Sequence, residues 1–319
     1  MVAGGAGFIG SFLCNYYCEK GAEVICIDSL ITGSEKNIHH LSGRKNFKFI
    51  RADVSRPLPD LPEGINLIFN LASPASPLDY YRYPIETLRV GSAGTENLLL
   101  LSLHQQVPVV LASTSEVYGD PQAHPQKESY WGNVNPVGPR SVYDESKRYA
   151  EAITSAYCRK YGLPAAIARI FNTYGPRLRP ADGRAIPNFI SQALAGIPVT
   201  VYGDGTQTRS LCYVTDLVEG LVCLGDKILN AREGQKGAVL LVNLGNPEEI
   251  TIIKLAKLII SLCNSGSKIV LKPLPDDDPT RRCPDISLAK TLLDWQPKVP
   301  LEEGLKITID WFRSTTYRE

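Results

Sequence analysis

Little in this sequence marks it for a metal, a membrane or a nucleic acid. Its four histidines (His39, His40, His104 and His124) show no metal-ligand spacing, so no metal is expected. Its eight cysteines, at 14, 18, 26, 158, 212, 223, 263 and 283, include no CxxC pair, which removes the usual zinc and dithiol-redox motifs. Several sit in apolar runs such as Val24-Ile25-Cys26-Ile27, so buried, reduced thiols of a cytoplasmic protein are expected. No stretch approaches the about 18 consecutive apolar residues of a membrane span, and no signal peptide is read ahead of the fold. The formal net charge is only +1, too small a field to favour nucleic acid or an anionic membrane. An anionic ligand must therefore be held by local basic groups.

What is present is a rhythm. Across 319 residues, a length suited to one large α/β unit with a smaller lobe, the first half alternates strand-like and helix-like runs. Strands are expected at Val24–Asp28, Phe47–Asp53, Leu67–Ala72 and Val107–Ser113, with helices at Pro84–Gln105 and Tyr143–Tyr161. Such alternation predicts a doubly wound parallel sheet, the Rossmann arrangement, with ligands at the carboxyl ends of its strands. Met1-Val2-Ala3 runs straight into glycines, so the first strand should be very short, and an anchor ahead of it is left open. Beyond about residue 172 the rhythm changes. Pro176 to Gly183 reads as a mobile or binding loop, followed by a helix at Ile186–Ala195 and a strand at Thr200–Tyr202. Cys212 to Leu224 reads as a return to the main sheet. Asp276-Asp277-Asp278-Pro279 breaks the chain before a last helical region ending near Phe312. The expected division is 1–172, with a return segment at about 210–242, against a smaller C-terminal α/β lobe of 173–209 and 243–319.

Gly4-Gly5-Ala6-Gly7-Phe8-Ile9-Gly10 opens an amphipathic helix carrying Phe12, Leu13, Tyr16 and Tyr17. Glycines there permit a tight turn and close backbone approach to a pyrophosphate at a helix N-terminus. The strand that follows ends in Asp28, placed to accept hydrogen bonds from ribose hydroxyls. An acid at that point repels a 2′-phosphate, so NAD is expected rather than NADP. Asp53-Val54 ends the next strand, where the adenine should lie. Further along, Ser113-Thr114-Ser115-Glu116 ends a strand, and Tyr143 and Lys147 share one helix face at i and i+4. A lysine ammonium near a phenol should lower its pKa from about 10 toward neutrality. The phenolate can then take a sugar hydroxyl proton while hydride leaves the same carbon, with the Thr114 hydroxyl orienting the oxygen.

Together, Gly4 to Gly10, Asp28, Asp53, Thr114 and Tyr143/Lys147 resemble the extended short-chain dehydrogenase/reductases. Within them, Leu71-Ala72-Ser73-Pro74-Ala75-Ser76-Pro77, Ser113 to Pro121 and Arg169 to Arg177 are similar to the UDP-glucuronate decarboxylases, which make UDP-xylose. Tyr130-Trp131-Gly132, Gln207-Thr208-Arg209 and Val242 to Glu249 extend the likeness over nearly the whole chain. One departure is Ala3, where that family usually has Thr. The resemblance implies an NAD site of Gly4, Gly7, Phe8, Ile9, Gly10, Asp28, Ser29, Thr32, Gly33, Asp53, Val54, Leu71, Ala72, Ser73, Ala112, Tyr143 and Lys147. It implies a UDP-sugar site drawing on Asn172, Arg184, Asn188, Gln207, Arg209, Asn243 and Arg281, with Tyr202 near the uracil and Pro77 and Tyr80 bordering the sugar. Arg209 is expected to contact substrate, and a homodimer is expected to pack through Glu86–Gln105 and Tyr143–Tyr161.

Related sugar-nucleotide 4,6-dehydratases carry Asp at the position of Ser115, as the acid that expels water. Serine is a poor proton donor, and a second carboxylate would repel a uronate. Loss of CO2 is therefore the expected reaction: C4 oxidation, decarboxylation of the resulting β-keto acid, C5 protonation and re-reduction. Glu116 is expected to position the ring or relay a proton. A 4,6-dehydratase or C4 epimerase is the alternative within the family, and a non-catalytic NAD-binding sensor stands further off.

Overall fold

The computed structural model describes residues 1–230, 238–274 and 281–316; the expected break at Asp276 to Pro279 lies outside the described residues. Seven strands pair side by side, all parallel: β1 (Val2–Ala3), β2 (Val24–Asp28), β3 (Phe47–Arg51), β4 (Ile68–Asn70), β5 (Val109–Thr114), β6 (Ala165–Ile170) and Leu240–Leu244. Their spatial order is β3, β2, β1, β4, β5, β6, Leu240–Leu244. The chain thus reverses its direction of travel between β1 and β4, and the crevice at such a point is where doubly wound sheets take their ligands.

Side-chain alternation builds the two covering layers. Val2, Cys26, Phe69 and Val110 face a core shared with the helices Phe8–Glu19 and Val214–Leu229. Their neighbours Ala3, Ile27, Ile68 and Val109 face the opposite core, with Leu98 and Cys158 of the other helices. Both faces being covered, the strands read as near-continuous apolar runs, and β5 is buried at all six positions. Ala3, within β1 of this sheet, is fully buried, leaving no exposed role at that position.

The expected helix at Pro84–Gln105 forms as Pro84–Arg89 and Thr95–Gln105 joined by a π turn at Val90–Gly94. π turns widen the helix locally and concentrate near functional sites. Here the turn carries Gly91 against the Ser141–Tyr161 helix, where a Cβ on residue 91 would fall 2.6 Å from the Ser146 Cβ and 2.8 Å from its carbonyl oxygen. Only glycine allows two helix backbones to approach that closely.

The expected return of Cys212 to Leu224 to the main sheet is made through a helix. Cys212 to Leu224 does not rejoin the main sheet as a strand. Cys212–Tyr213 pairs with Thr173–Tyr174 in a separate two-stranded sheet, and Val214–Leu229 is a helix laid on the main sheet. The seventh strand is Leu240–Leu244. Apolar residues crowd both stretches, but 214–229 repeats them at helical spacing around Leu217, Leu221, Leu224 and Ile228. The C-terminal part contributes the helices Ala185–Leu194, Ile252–Leu262 and Leu301–Thr316. It also supplies two small sheets, Val199–Tyr202 with Ile269–Lys272 and Thr208–Ser210 with Glu249–Thr251. Phe189, Leu255 and Phe312 join the same core as the first face of the main sheet. No helix among the described residues is long and apolar enough to cross a membrane.

Candidate active site

The carboxyl ends of β1, β4 and β5 open into a cleft of about 500 Å³, continuous through Gly4, Gly7, Thr32, Leu71 and Ser73 with a recess of about 90 Å³ at the end of β2. The glycine turn forms one wall. Gly4 N donates to the Ile27 carbonyl at 2.8 Å and Gly7 N to the Gly4 carbonyl at 3.2 Å. A side chain at residue 10 would drive its Cβ to 2.1 Å from the Gly4 oxygen, so the helix could not seat on the turn. The helix Phe8–Glu19 begins on Gly7 with no side-chain cap and no acid in its first turn. Its positive end therefore faces the cleft, where an anionic diphosphate is favoured.

Asp28 lies at the mouth of the recess with Ser29, Thr32, Gly33, Asp53, Val54 and Ala72. Its carboxylate accepts from Ala6 N at 3.0 Å and Leu30 N at 2.8 Å, and burial outweighs these bonds in pushing its pKa above the usual carboxylate value. All the residues expected to hold NAD line the cleft or the recess. Donors at a helix end, glycines whose side chains would fill the cradle and an acid at the ribose position fit a dinucleotide.

At the centre, Tyr143 and Lys147 stand one turn apart on the Ser141–Tyr161 helix, both buried. The Tyr143 ring stacks on Tyr80 at 5.3 Å and 10°, and Thr114 hydrogen-bonds its hydroxyl. Lys147 Nζ donates to the Ala112 carbonyl at 2.9 Å and lies 5.9 Å from the Tyr143 ring centroid. The expected lowering of the phenol pKa is not found in the protein alone. Burial pushes it up to about 12, with the Thr114 bond pulling the other way. Lys147 itself is pushed down to about 8 by burial. Lysine spacing alone said nothing about how completely the stack on Tyr80 excludes water.

Glu116 shows what the sequence pattern could not. Burial would raise its pKa, but Arg282 and Arg140 hold it well below the usual range. Arg282 Nη2 donates to Oε2 at 2.7 Å and Nη1 to Oε1; Arg140 Nη2 donates to Oε2 at 2.6 Å. So clamped, Glu116 stays a carboxylate that accepts hydrogen bonds and is a weak base. Asp144 is buried close by with Oδ1 lacking any hydrogen-bond partner, and burial first, then the charge of Glu116, pushes its pKa up to about 7. Folding keeps the proton on this acid. Its contribution to stability is therefore fullest below about 3.8 and is lost as pH rises through about 7. Asp144→Asn is expected to stabilise the protein by about 1–3 kcal/mol at pH 8 and negligibly at pH 4, read as the difference in thermal midpoint between the two buffers.

Of the residues expected at the sugar-nucleotide end, Pro77, Tyr80, Asn172, Arg184, Asn188, Tyr202, Gln207 and Arg209 line the cleft. Arg184 pairs with Asp182, Nη2 to Oδ2 at 2.9 Å. Gln207 Nε2 donates to the Tyr202 carbonyl at 2.6 Å. Two others lie outside the cleft. Asn243 is fully buried away from the cleft. Its Nδ2 donates to the carbonyls of Gln126 and Asp285, and its Oδ1 accepts from the Tyr118 hydroxyl at 2.8 Å. It ties loops together. Arg281 is exposed and does not line the cleft, whereas its neighbour Arg282 does. Arg140, Arg177 and Asp182 are further cleft residues not expected at the site, although Arg177 and Asp182 fall in the Pro176 to Gly183 loop. The Arg177 guanidinium lies 4.4 Å from the Phe12 ring centroid, beside the glycine turn.

Comparison with known proteins agrees with this geometry. A UDP-glucuronic acid decarboxylase 1 of Xenopus tropicalis is 49% identical over 313 residues, spanning 98% of this chain and 72% of that protein. One of Arabidopsis thaliana is 47% identical over 319 residues, 100% of this chain and 71% of that protein. Among solved structures, a UDP-glucose 4-epimerase of Thermotoga maritima with UDP-glucose superimposes with a TM-score of 0.85 at 29% identity, covering 99% and 98% of the two chains. A dTDP-glucose 4,6-dehydratase of Streptomyces venezuelae with NAD bound gives 0.84 at 26%, covering 98% and 96%. The sequence pattern of the NAD dependent epimerase/dehydratase family matches residues 1–245, and with the parallel sheet, the glycine turn and the Thr-Tyr-Lys cluster it follows that the chain belongs to that family.

Proposed function

We propose that this enzyme decarboxylates UDP-glucuronate to UDP-xylose with NAD. The carrying observation is the buried Ser115 lining the cleft between Thr114 and Glu116, in a chain close to half identical to decarboxylases over almost its full length. Serine brings no acid able to expel a C6 hydroxyl. Its hydroxyl donates to a uronate carboxylate without the repulsion a second carboxylate would bring.

Residues 1–172, with the return segment at about 210–242, are assigned to NAD; 173–209 and 243–319 are assigned to the nucleotide sugar. Bound over the glycine turn, the cofactor supplies reversible hydride transfer at C4. Tyr143 holds the C4 oxygen and carries its proton, Thr114 orients that oxygen, and Lys147 fixes the helix face through Ala112. With C4 as a ketone, the carboxylate on C5 is β to a carbonyl and leaves as CO2, its bonding electrons passing into the carbonyl as an enolate that then takes a proton at C5. Glu116, held as a carboxylate, positions the ring and its two arginines. Arg209, Asn172, Arg184 and Asn188 hold the diphosphate and sugar, and Tyr202 flanks the base.

Incubation with UDP-glucuronate and NAD, followed by mass spectrometry, is expected to give UDP-xylose and one CO2 per turnover with no net build-up of NADH. A 4-keto-6-deoxy product from a nucleotide glucose would instead make the enzyme a dehydratase. Eight free thiols suit a reducing cytoplasm. Leu88, Leu100, Tyr149 and Tyr161 stand exposed on the two segments assigned to dimer contact, and light scattering is expected to report twice the 35.0 kDa chain mass.

A further inference from the structure

The spacing of the histidines gives no reason to expect a metal, yet three residues distant in sequence meet beside the active cleft. The ligand atoms of His124, Glu249 and Cys283 all lie within 4.8 Å of one another. We infer that these three side chains form a binding site for a divalent cation of the zinc class. Tetrahedral bonds of about 2.0–2.3 Å separate ligand atoms by roughly 3.3–3.8 Å, so only small side-chain shifts are needed, and His124 Nε2 already sits 3.0 Å from Glu249 Oε2.

The donor set selects the ion. One imidazole, one carboxylate and one thiolate neutralise a dication, and a thiolate excludes magnesium and calcium in favour of zinc-like ions. Coordination replaces the S–H bond of Cys283 by a sulfur–metal bond; the proton goes to solvent. The thiol now donates to the Pro247 carbonyl at 3.2 Å, a bond that is given up. His124 and Glu249 are partly exposed, leaving a fourth position open to water.

The framework is already tied. Thr208 Oγ1 donates to Glu249 Oε1 at 2.5 Å, the outer-shell contact that orients a metal carboxylate. Gln126 N donates to the Cys283 carbonyl at 2.8 Å, and Cys283 N to Gln126 Oε1 at 2.9 Å. The site also touches the catalytic centre through the chain itself. Cys283 follows Arg282, which clamps Glu116, and Glu249 lies on the strand whose next residue, Ile250, pairs with Arg209. An ion here would brace both arginines from behind.

The test is titration of chelator-stripped, full-length enzyme with Co2+, then competition with Zn2+. One equivalent of cobalt is expected to produce a sulfur-to-metal charge-transfer band that zinc abolishes. Cys283→Ser should remove the band. His124→Ala and Glu249→Gln, at partly exposed positions, should weaken binding at least about tenfold, while Cys223→Ser, at the half-buried thiol, leaves it intact. Zinc should raise the thermal midpoint of the native chain and not that of the His124→Ala protein. Absence of the band in the native enzyme, or its persistence in Cys283→Ser, overturns the site. Neither outcome bears on the decarboxylase assignment, which the product assay tests separately.

Discussion

Tyr143→Phe is expected to lower turnover about a thousandfold or more, the upper range for losing a positioned acid–base group, while NAD affinity changes little. The substitution removes one oxygen and keeps the ring, so the stack on Tyr80 at 5.3 Å survives and the helix that carries Lys147 is undisturbed. What disappears is the hydroxyl that Thr114 holds and that must exchange a proton with the sugar. Single-turnover mass analysis with UDP-glucuronate, set beside NAD titration by fluorescence, separates the two effects. Native-like turnover in the Phe protein would end the mechanism. Weakened NAD binding with unchanged chemistry would mean the ring serves the cofactor alone.

Glu116→Gln should cost about 3 kcal/mol of stability and most of the activity. The residue is isosteric, so the change isolates the charge. Removing it takes the bidentate counter-charge from Arg282, 4% exposed at its side chain, and one partner from Arg140, and an uncompensated buried charge is worth about 3–5 kcal/mol. The lower end applies because Arg140 is 15% exposed and can draw water from the cleft. Urea unfolding at pH 7 measures the loss. Adding Arg282→Met should return part of it, since the second change removes one stranded charge. The sign with pH follows from the depressed pKa. Glu116 stabilises fully above about 4.5 and loses that contribution as pH falls toward about 2. Acid unfolding should therefore be steeper in the native chain than in the variant. A Gln protein as stable as the native chain at pH 7 would show that the arginines need no counter-ion.

The parts of this site that short spacing controls were legible in the residues. A glycine turn, an acid at the end of the next strand and Tyr-x-x-x-Lys on one helix face each depend on residues a few positions apart, and regular backbone fixes where they point. Asn243 lies on the regular strand Leu240–Leu244 and its side chain is drawn to the loop carbonyls of Gln126 and Asp285, whereas Arg281 sits in irregular backbone. In an extended segment without a repeating partner, neighbouring arginines at 281 and 282 look alike in sequence, and only the distant Glu116 decides which turns inward. The phenol failed in a different way. Its partners were named correctly, but its ionisation depends on how completely Tyr80 and the cleft wall remove water. Likewise Val214–Leu229 and Leu240–Leu244 are both apolar, and the return to the main sheet was legible while its division into a helix and a later strand was not.

The π turn at Val90–Gly94 gives the fold an adjustment point outside its own chemistry. Residue 91 works as a shim of zero thickness between two helices, one walling the dinucleotide groove and one bearing the reactive phenol. Adding even a methyl there would wedge the helices apart and tip the phenol relative to Thr114, detuning the reaction from a site that meets neither ligand.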